Sequence, residues 1–433
     1  MTEQHTLSME GTRVVAHERE PRGNALRARL MTVEGRGQRT YTPSLAVIAD
    51  ADGWELTTID GRCLTDFASG VLVTNLGHKH PLFEERYRHH LARCPLSAYN
   101  MVTEVEVEAS ERLVCSMAAT NPNAQKILWA ASGSEGVQKA MWAAMANQAD
   151  RPILLATRHG FHGKKGLAGD VTGETSVNPH VRFISFPMRQ SHRPDFYEQE
   201  LMALSVQFSD HIALLITEPY LGAAGSFHPP RWYHQLLQTW SREHRIPFIF
   251  DEVQSCHGRT GHMYAFEGYD VTPDLVVVGK GVANRVPAAA IVGRADLIDA
   301  LDYGAASDTF SATPMACAAV CATLDVFEEE QLVAHAQAVG PVLQEELEKL
   351  WHSFPFIEAV RGEGMVYGVE MRTAELARAC VLEAYRGTGE RGVHFLGPLA
   401  DRVLRVSPPL TITEEAIRMA SACLHDAWSR ISV

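Results

Sequence analysis

The sequence predicts an α/β fold: a large unit on a mostly parallel central sheet flanked by helices, plus a smaller α+β unit drawn from both termini. Three observations carry this expectation. Short apolar runs such as Phe248-Ile249-Phe250 and Leu275-Val276-Val277-Val278 are bounded by turn or charged residues, as strands buried on both faces are. Strand-like runs alternate with helical patterns from about Lys126 to Pro287, the rhythm of right-handed parallel β-α-β units. Both flanks differ from this core in pattern and combine into one lobe. The expected partition is an N-terminal arm at 1–30, small-domain segments at 31–85 and 316–433, and a large domain at 86–315.

In chain order, the polar, mixed-charge arm reads as loose, ordered only by docking on another surface. Residues 45–67 hold Asp52-Gly53 and Asp60-Gly61 between alternating apolar segments, the signature of an antiparallel meander. The turn Gly77-His78-Lys79-His80-Pro81 offers two histidines but no further ligand at metal spacing. Helical patterns follow at 82–94 and 104–119. A strand from Lys126 then leads into Ser132-Gly133-Ser134 and a helix opening with Glu135. Free N–H groups, two hydroxyls and a glycine suit a phosphate there; an ordinary serine N-cap is the plain alternative. The segment is not a GxSxG elbow, which disfavours a serine hydrolase.

The next strand, at 152–156, ends in His159-Gly160-Phe161-His162-Gly163. Phe161 is suited either to stack on a flat ring or to tuck into the core, and the two histidines lack a third metal ligand. A strand at 212–217 delivers Glu218-Pro219, followed by a glycine-rich loop and a helix at 232–243. The glycines at 163–169 do not form a GxGxxG dinucleotide fingerprint. Thr309 precedes a small-residue helix beginning at Pro314. Helices at 332–350, 373–385 and 414–429, with strands at 357–371 and near Arg405, complete the chain.

Asp251 follows the four-residue apolar run Pro247-Phe248-Ile249-Phe250, and Lys280 follows the run Leu275-Val276-Val277-Val278 after Gly279. Ligands of open α/β sheets gather at the carboxyl ends of strands, so both residues point into one crevice. A carboxylate for a ring nitrogen and an amine for an aldehyde are what pyridoxal phosphate requires. Burial lowers a lysine's pKa and frees the amine as a nucleophile. The alternative is a capping Asp251 and a solvated Lys280.

Composition narrows the partners. Hydrophobic residues make up 46% and charged ones 21% of 433 residues, which is globular. With 52 acidic against 39 basic residues the formal charge is −13, against broad nucleic-acid or anionic-membrane binding. Eight scattered cysteines without a CxxC pair suit a reducing compartment. No apolar signal core is present and no run approaches the ~20 residues of a membrane helix, so a cytoplasmic protein is expected.

Nine segments in order over 52–431 extend this reading: DGRCLTDFASGVLVTNLGHKHP, SGSE, GFHG, TEP, FDEVQ with GRTG, PD before GKG, DTF, VRGEG and LRVSPPLTIT. Together they resemble the class-III aminotransferases of the fold-type I pyridoxal-phosphate enzymes. The resemblance implies that Lys280 is the Schiff-base lysine, moving a proton between the substrate α-carbon and cofactor C4′, and that Asp251 keeps the ring nitrogen protonated. It implies Val253 and Phe161 on the two ring faces, Gln254 near the ring hydroxyl, Glu218 orienting the ring region, and Ser132, Gly133 and Ser134 around the phosphate. Thr309 completes that cradle from a second subunit, implying a homodimer. Arg405 matches the arginine that grips the substrate carboxylate, a task for its bidentate fork; the plain alternative is a solvated strand-end arginine.

The implied reaction is ping-pong amino transfer from an amino acid or amine to a 2-oxo acid. A racemase, epimerase or decarboxylating relative on the same fold is the alternative; a silent cofactor-binding scaffold and a nicotinamide-dependent dehydrogenase are remoter ones. Three departures stand out. Ala223 replaces the glutamate that pairs with this arginine in ornithine and 4-aminobutyrate aminotransferases. Val282-Ala283-Asn284-Arg285 replaces a glycine-rich turn, and Ser255-Cys256-His257 replaces small and aromatic residues.

Overall fold

The computed structural model describes residues 15–432 other than 41, 93, 189–192 and 390, together with residues 8, 9, 12 and 13. Seven strands form its main sheet, in the spatial order Lys126–Ala130, Ala289–Gly293, Leu275–Val278, Phe248–Asp251, Ile212–Thr217, Ile153–Thr157, Val181–Ile184. The last five pair in parallel. Ala289–Gly293 runs antiparallel between Leu275–Val278 and Lys126–Ala130. Too few residues separate it from Leu275–Val278 for a crossover helix, so the chain reverses instead.

The central strands are almost wholly apolar because both faces are covered. Ile249, Leu275 and Val277 pack with Val137, Ala140 and Met141 of the helix Gly133–Asn147. Their neighbours Phe248, Phe250, Val276 and Val278 turn to the opposite face, where they join Leu237 and Trp240 of the helix Arg231–Glu243. The period-two alternation gives each face its own core, and each such side chain contributes on the order of 1.5–3 kcal/mol by leaving water.

The meander is present as Ile48–Asp52, Glu55–Thr58 and Cys63–Asp66, with Gly53 and Gly61 at positive φ in its turns. Its edge strand Cys63–Asp66 pairs in parallel with Arg391–His394, so the two ends of the sequence share a four-stranded sheet. A second small sheet, Ile357–Glu363, Val366–Met371 and Val403–Val406, carries Arg405. Hydroxyl caps start the later helices: Thr313 before Pro314–Glu329, Thr373 before Ala374–Arg386, and Thr413 before Glu414–Trp428.

The arm differs from expectation. Its residues 1–7, 10, 11 and 14 lie outside the described residues, but Pro21–Met31 is helical. The Asp60 carboxylate accepts from the N–H groups of Arg22 and Gly23 at the start of this helix. Buried Glu20 pairs with Arg27 at 2.6 Å and accepts from Tyr385 Oη at 2.7 Å. The docking surface is thus the chain's own small sheets, which a local reading of a polar segment misses. No described helix is long and apolar enough to cross a membrane.

Candidate active site

Asp251 ends its strand in register with Val277, and Lys280 follows two residues after the neighbouring strand ends. Gly279 is extended, and Lys280 adopts φ 45°, turning the chain sharply at the strand tip. The Lys280 amine has no hydrogen bond or ion pair among the described residues. Burial brings it down to about 8, with Arg405 reinforcing and Asp251 and Glu218 opposing that shift. Asp251 and Lys280 thus stand at the ends of adjacent strands and interact electrostatically, and burial shifts the amine toward its neutral, nucleophilic form.

The Asp251 carboxylate is oriented from two sides. Its Oδ1 accepts the Val253 N–H at 3.1 Å, and its Oδ2 lies 2.7 Å from His162 Nδ1. A carboxylate only accepts, so the His162 proton sits on Nδ1. His162 is itself buried, and its Nε2 has no partner. Glu218, at the tip of Ile212–Thr217, accepts from the N–H groups of Phe161 at 2.8 Å and Gly222 at 3.4 Å. Burial pushes Glu218 up to about 7, against the pull of His162 and with the repulsion of Asp251.

Val253 ties the anion cradle to these strand tips. A Cβ at Gly133 would stand 2.7 Å from Val253 Cγ1, and one at Gly279 3.2 Å from the same atom. A Cβ at Gly163 would fall 1.8 Å from Ser134 Oγ, so the Phe161 turn is pressed onto the cradle. Ser132 caps the helix Gly133–Asn147 through the Glu135 N–H at 3.4 Å, while Glu135 Oε2 accepts the Ala131 N–H. The ordinary N-cap therefore does not preclude an anion there, because the first N–H groups of a helix have no intrahelical acceptor. A helix N-terminus with small residues, an acid for a ring nitrogen, a free amine and two half-buried flanking side chains, Val253 and Phe161, fit pyridoxal phosphate.

Arg405 is buried, with Nη1 donating to Gln254 Oε1 at 3.2 Å and Nε unpartnered. Among the described residues no carboxylate pairs with it, and burial lowers its pKa. The solvated-arginine alternative does not apply. A second buried guanidinium, Arg259 of the GRTG segment, is held by the Pro408 and Met365 carbonyls and Asn75 Oδ1, which makes it a link between lobes.

One expected site residue stands apart. Thr309 is exposed on the loop before Pro314, and among the described residues it has no hydrogen bond to Ser132, Gly133 or Ser134 of its own chain. Of the departures, Arg285 pairs with Glu84 and lies over the rings of Phe83 and Tyr87 at 5.3 and 5.1 Å, on the helix Pro81–Leu91. Cys256 and His257 are buried, His257 edge-on to Tyr264 and Phe327. In sequence His162 offers only a metal ligand without a third partner; its bond to Asp251 joins residues 89 apart, and the aromatic-glycine turn is the one local signal of a site.

The model of the aminotransferase class-III family matches residues 37–428. A probable 4-aminobutyrate aminotransferase of Bacillus subtilis is 28% identical over 416 residues, covering 90% of this chain and 94% of the relative. An acetylornithine aminotransferase of Methanopyrus kandleri is 32% identical over 391 residues, covering 90% and 95%. Among solved structures, an amine transaminase from an uncultivated Pseudomonas species in a pyridoxal-phosphate-bound form superposes with a TM-score of 0.79 at 25% identity, covering 92% and 97%.

Proposed function

The chain belongs to the class-III aminotransferases, and from that premise we propose which of its residues carry the transfer of an amino group between an amino donor and a 2-oxo acid. Pyridoxal phosphate, on which the family depends, supplies an aldehyde for amines and a ring that stores the electron pair released at the substrate α-carbon. Lys280 would hold the aldehyde carbon when substrate is absent; once the substrate amine takes its place there, the freed Lys280 amine would remove and return the proton at the α-carbon. Asp251, oriented by His162 and the Val253 N–H, holds the proton on the ring nitrogen. Val253 and Phe161 would flank the ring, Gln254 would lie near its hydroxyl, Glu218 would orient the ring region, and Ser132, Gly133 and Ser134 would hold the phosphate.

The observation that carries this assignment is the partnerless, low-pKa Lys280 amine on the strand beside Asp251. Lys280→Ala tests it. The variant keeps its fold by circular dichroism and loses amino transfer; retained full turnover rejects the assignment.

We further assign Arg405 to the substrate carboxylate. A buried guanidinium whose only hydrogen bond among the described residues is to a neutral amide, with Ala223 where the pairing glutamate stands in ornithine and 4-aminobutyrate aminotransferases, is left free for a carboxylate. Donor and acceptor then both carry one. The enzyme acts as a homodimer in which Thr309 of each chain completes the other's phosphate cradle, a reading supported by exposed apolar residues such as Phe310 (72%), Leu96 (79%) and Val102 (82%). Its large domain spans 86–315 and its small domain 31–85 with 316–433. The cytoplasm is its compartment, in keeping with cysteines that are all free.

A further inference from the structure

Lys139 lies on the buried face of the helix Gly133–Asn147, among Gly136, Val137, Ala140, Ala143 and Ala144. A lysine there is costly unless its charge is matched. Its Nζ donates to the Trp129 carbonyl at 2.8 Å, to Asp308 Oδ2 at 2.5 Å and to Ser311 Oγ at 3.2 Å. The side chain is 3% exposed and that of Asp308 23%.

Apart from buried Ala306, the segment it holds mostly faces solvent. Residues 302–305 and 307 are exposed, as are Thr309 and Phe310. Among the described residues, the only hydrogen bonds from 302–311 to the rest of the chain run to Lys139. Asp308 Oδ1 accepts from the N–H groups of Phe310 at 2.9 Å and Ser311 at 2.7 Å, folding the backbone around Thr309. One carboxylate therefore shapes the turn with one oxygen and anchors it with the other.

We propose that Lys139 is a positioning residue: it fixes the Asp308 turn so that Thr309 is presented, preorganised, to the phosphate cradle of a second copy of this chain. The inference rests on the shared-site reading above. It makes the helix Gly133–Asn147 serve two sites, its N-terminus holding the phosphate of its own site and Lys139 supporting that of its partner. Without the ion pair the turn loses its only hydrogen-bonded tether among the described residues, and ordering it on binding weakens the contact that Thr309 makes.

The test uses heterodimers of two differently tagged full-length chains, titrated with pyridoxal phosphate and followed by visible absorbance. One chain carries Lys280→Ala, so only the intact chain's site gives the lysine-linked signal. Lys139→Met placed on the silent chain is expected to weaken cofactor binding at the intact site about tenfold, the scale of one charge-assisted phosphate contact. The same substitution on the intact chain is expected to leave that site within about twofold. Equal effects in both arrangements, or none, overturn the inference. Thr309→Ala on the silent chain separates the two readings. If it has no effect at the intact site, the shared site itself fails; if it acts while Lys139→Met does not, only the role of Lys139 fails. Should Lys139→Met prevent assembly, Asp308→Asn is read in the same two arrangements.

Discussion

Replacing His162 by alanine removes the one side chain that donates to Asp251. The bond is 2.7 Å long, and both partners are buried, with side-chain exposures of 0% and 4%. A hydrogen bond to a charged group contributes about 1.5–3 kcal/mol, and burial holds this one in a low-dielectric setting where the upper part of that range applies. Its loss weakens the hold of Asp251 on the proton at the ring nitrogen. With about 1.4 kcal/mol per decade of rate, the expected fall in kcat is roughly 10- to 150-fold. KM changes little, because the substrate carboxylate is gripped elsewhere. His162→Asn keeps a donor near the position of Nδ1 and recovers much of the rate. The assay is steady-state amino transfer at saturating pyridoxal phosphate, with circular dichroism to verify the fold. A folded, cofactor-loaded His162→Ala enzyme within about twofold of wild type refutes the argument that this contact orients the acid.

Arg405→Leu is expected to raise KM about 10- to 100-fold for carboxylate-bearing donors, the scale of a lost bidentate pair, and to leave a carboxylate-free amine little affected; equal losses on both reject the assignment. The Lys280 amine, brought down to about 8 from 10.5 by burial, predicts that capture of pyridoxal phosphate by the cofactor-free enzyme accelerates with pH and levels off above about 8; stopped-flow absorbance finding the inflection near 10.5 contradicts this. Between about 8 and 10.5 the folded chain binds fewer protons at Lys280 than the unfolded chain. The lysine therefore opposes folding below about 8, and this is relieved as pH rises through that window. Lys280→Met should thus stabilise the cofactor-free enzyme at pH 7, by an amount that shrinks toward pH 10.5 in urea titrations. Gly133→Ala forces a methyl to 2.7 Å from Val253 Cγ1, at a cost of about 1–3 kcal/mol. Lower thermal stability and weaker cofactor binding are expected, with Val253→Ala restoring part of both.

Local order in the sequence was enough for the sheet and for the charged residues at its strand ends. Fully apolar four-residue runs mean strands covered on both faces, and the charged residue after each run marks the strand end where ligands bind, so Asp251 and Lys280 were legible without any contact being known. Motif order reached the cradle, Gln254 and Arg405 by resemblance. Interactions between residues distant in sequence were not legible, since neither periodicity nor propensity encodes them. His162 meets Asp251 across 89 residues and Lys139 meets Asp308 across 169. The polar arm looks loose because its stabilising partners, Asp60 and Tyr385, come from two remote segments. The chemistry available was thus set by residue types at strand tips. How strongly each group is buried, oriented and tuned was decided only when tertiary packing removed water and brought those distant partners together.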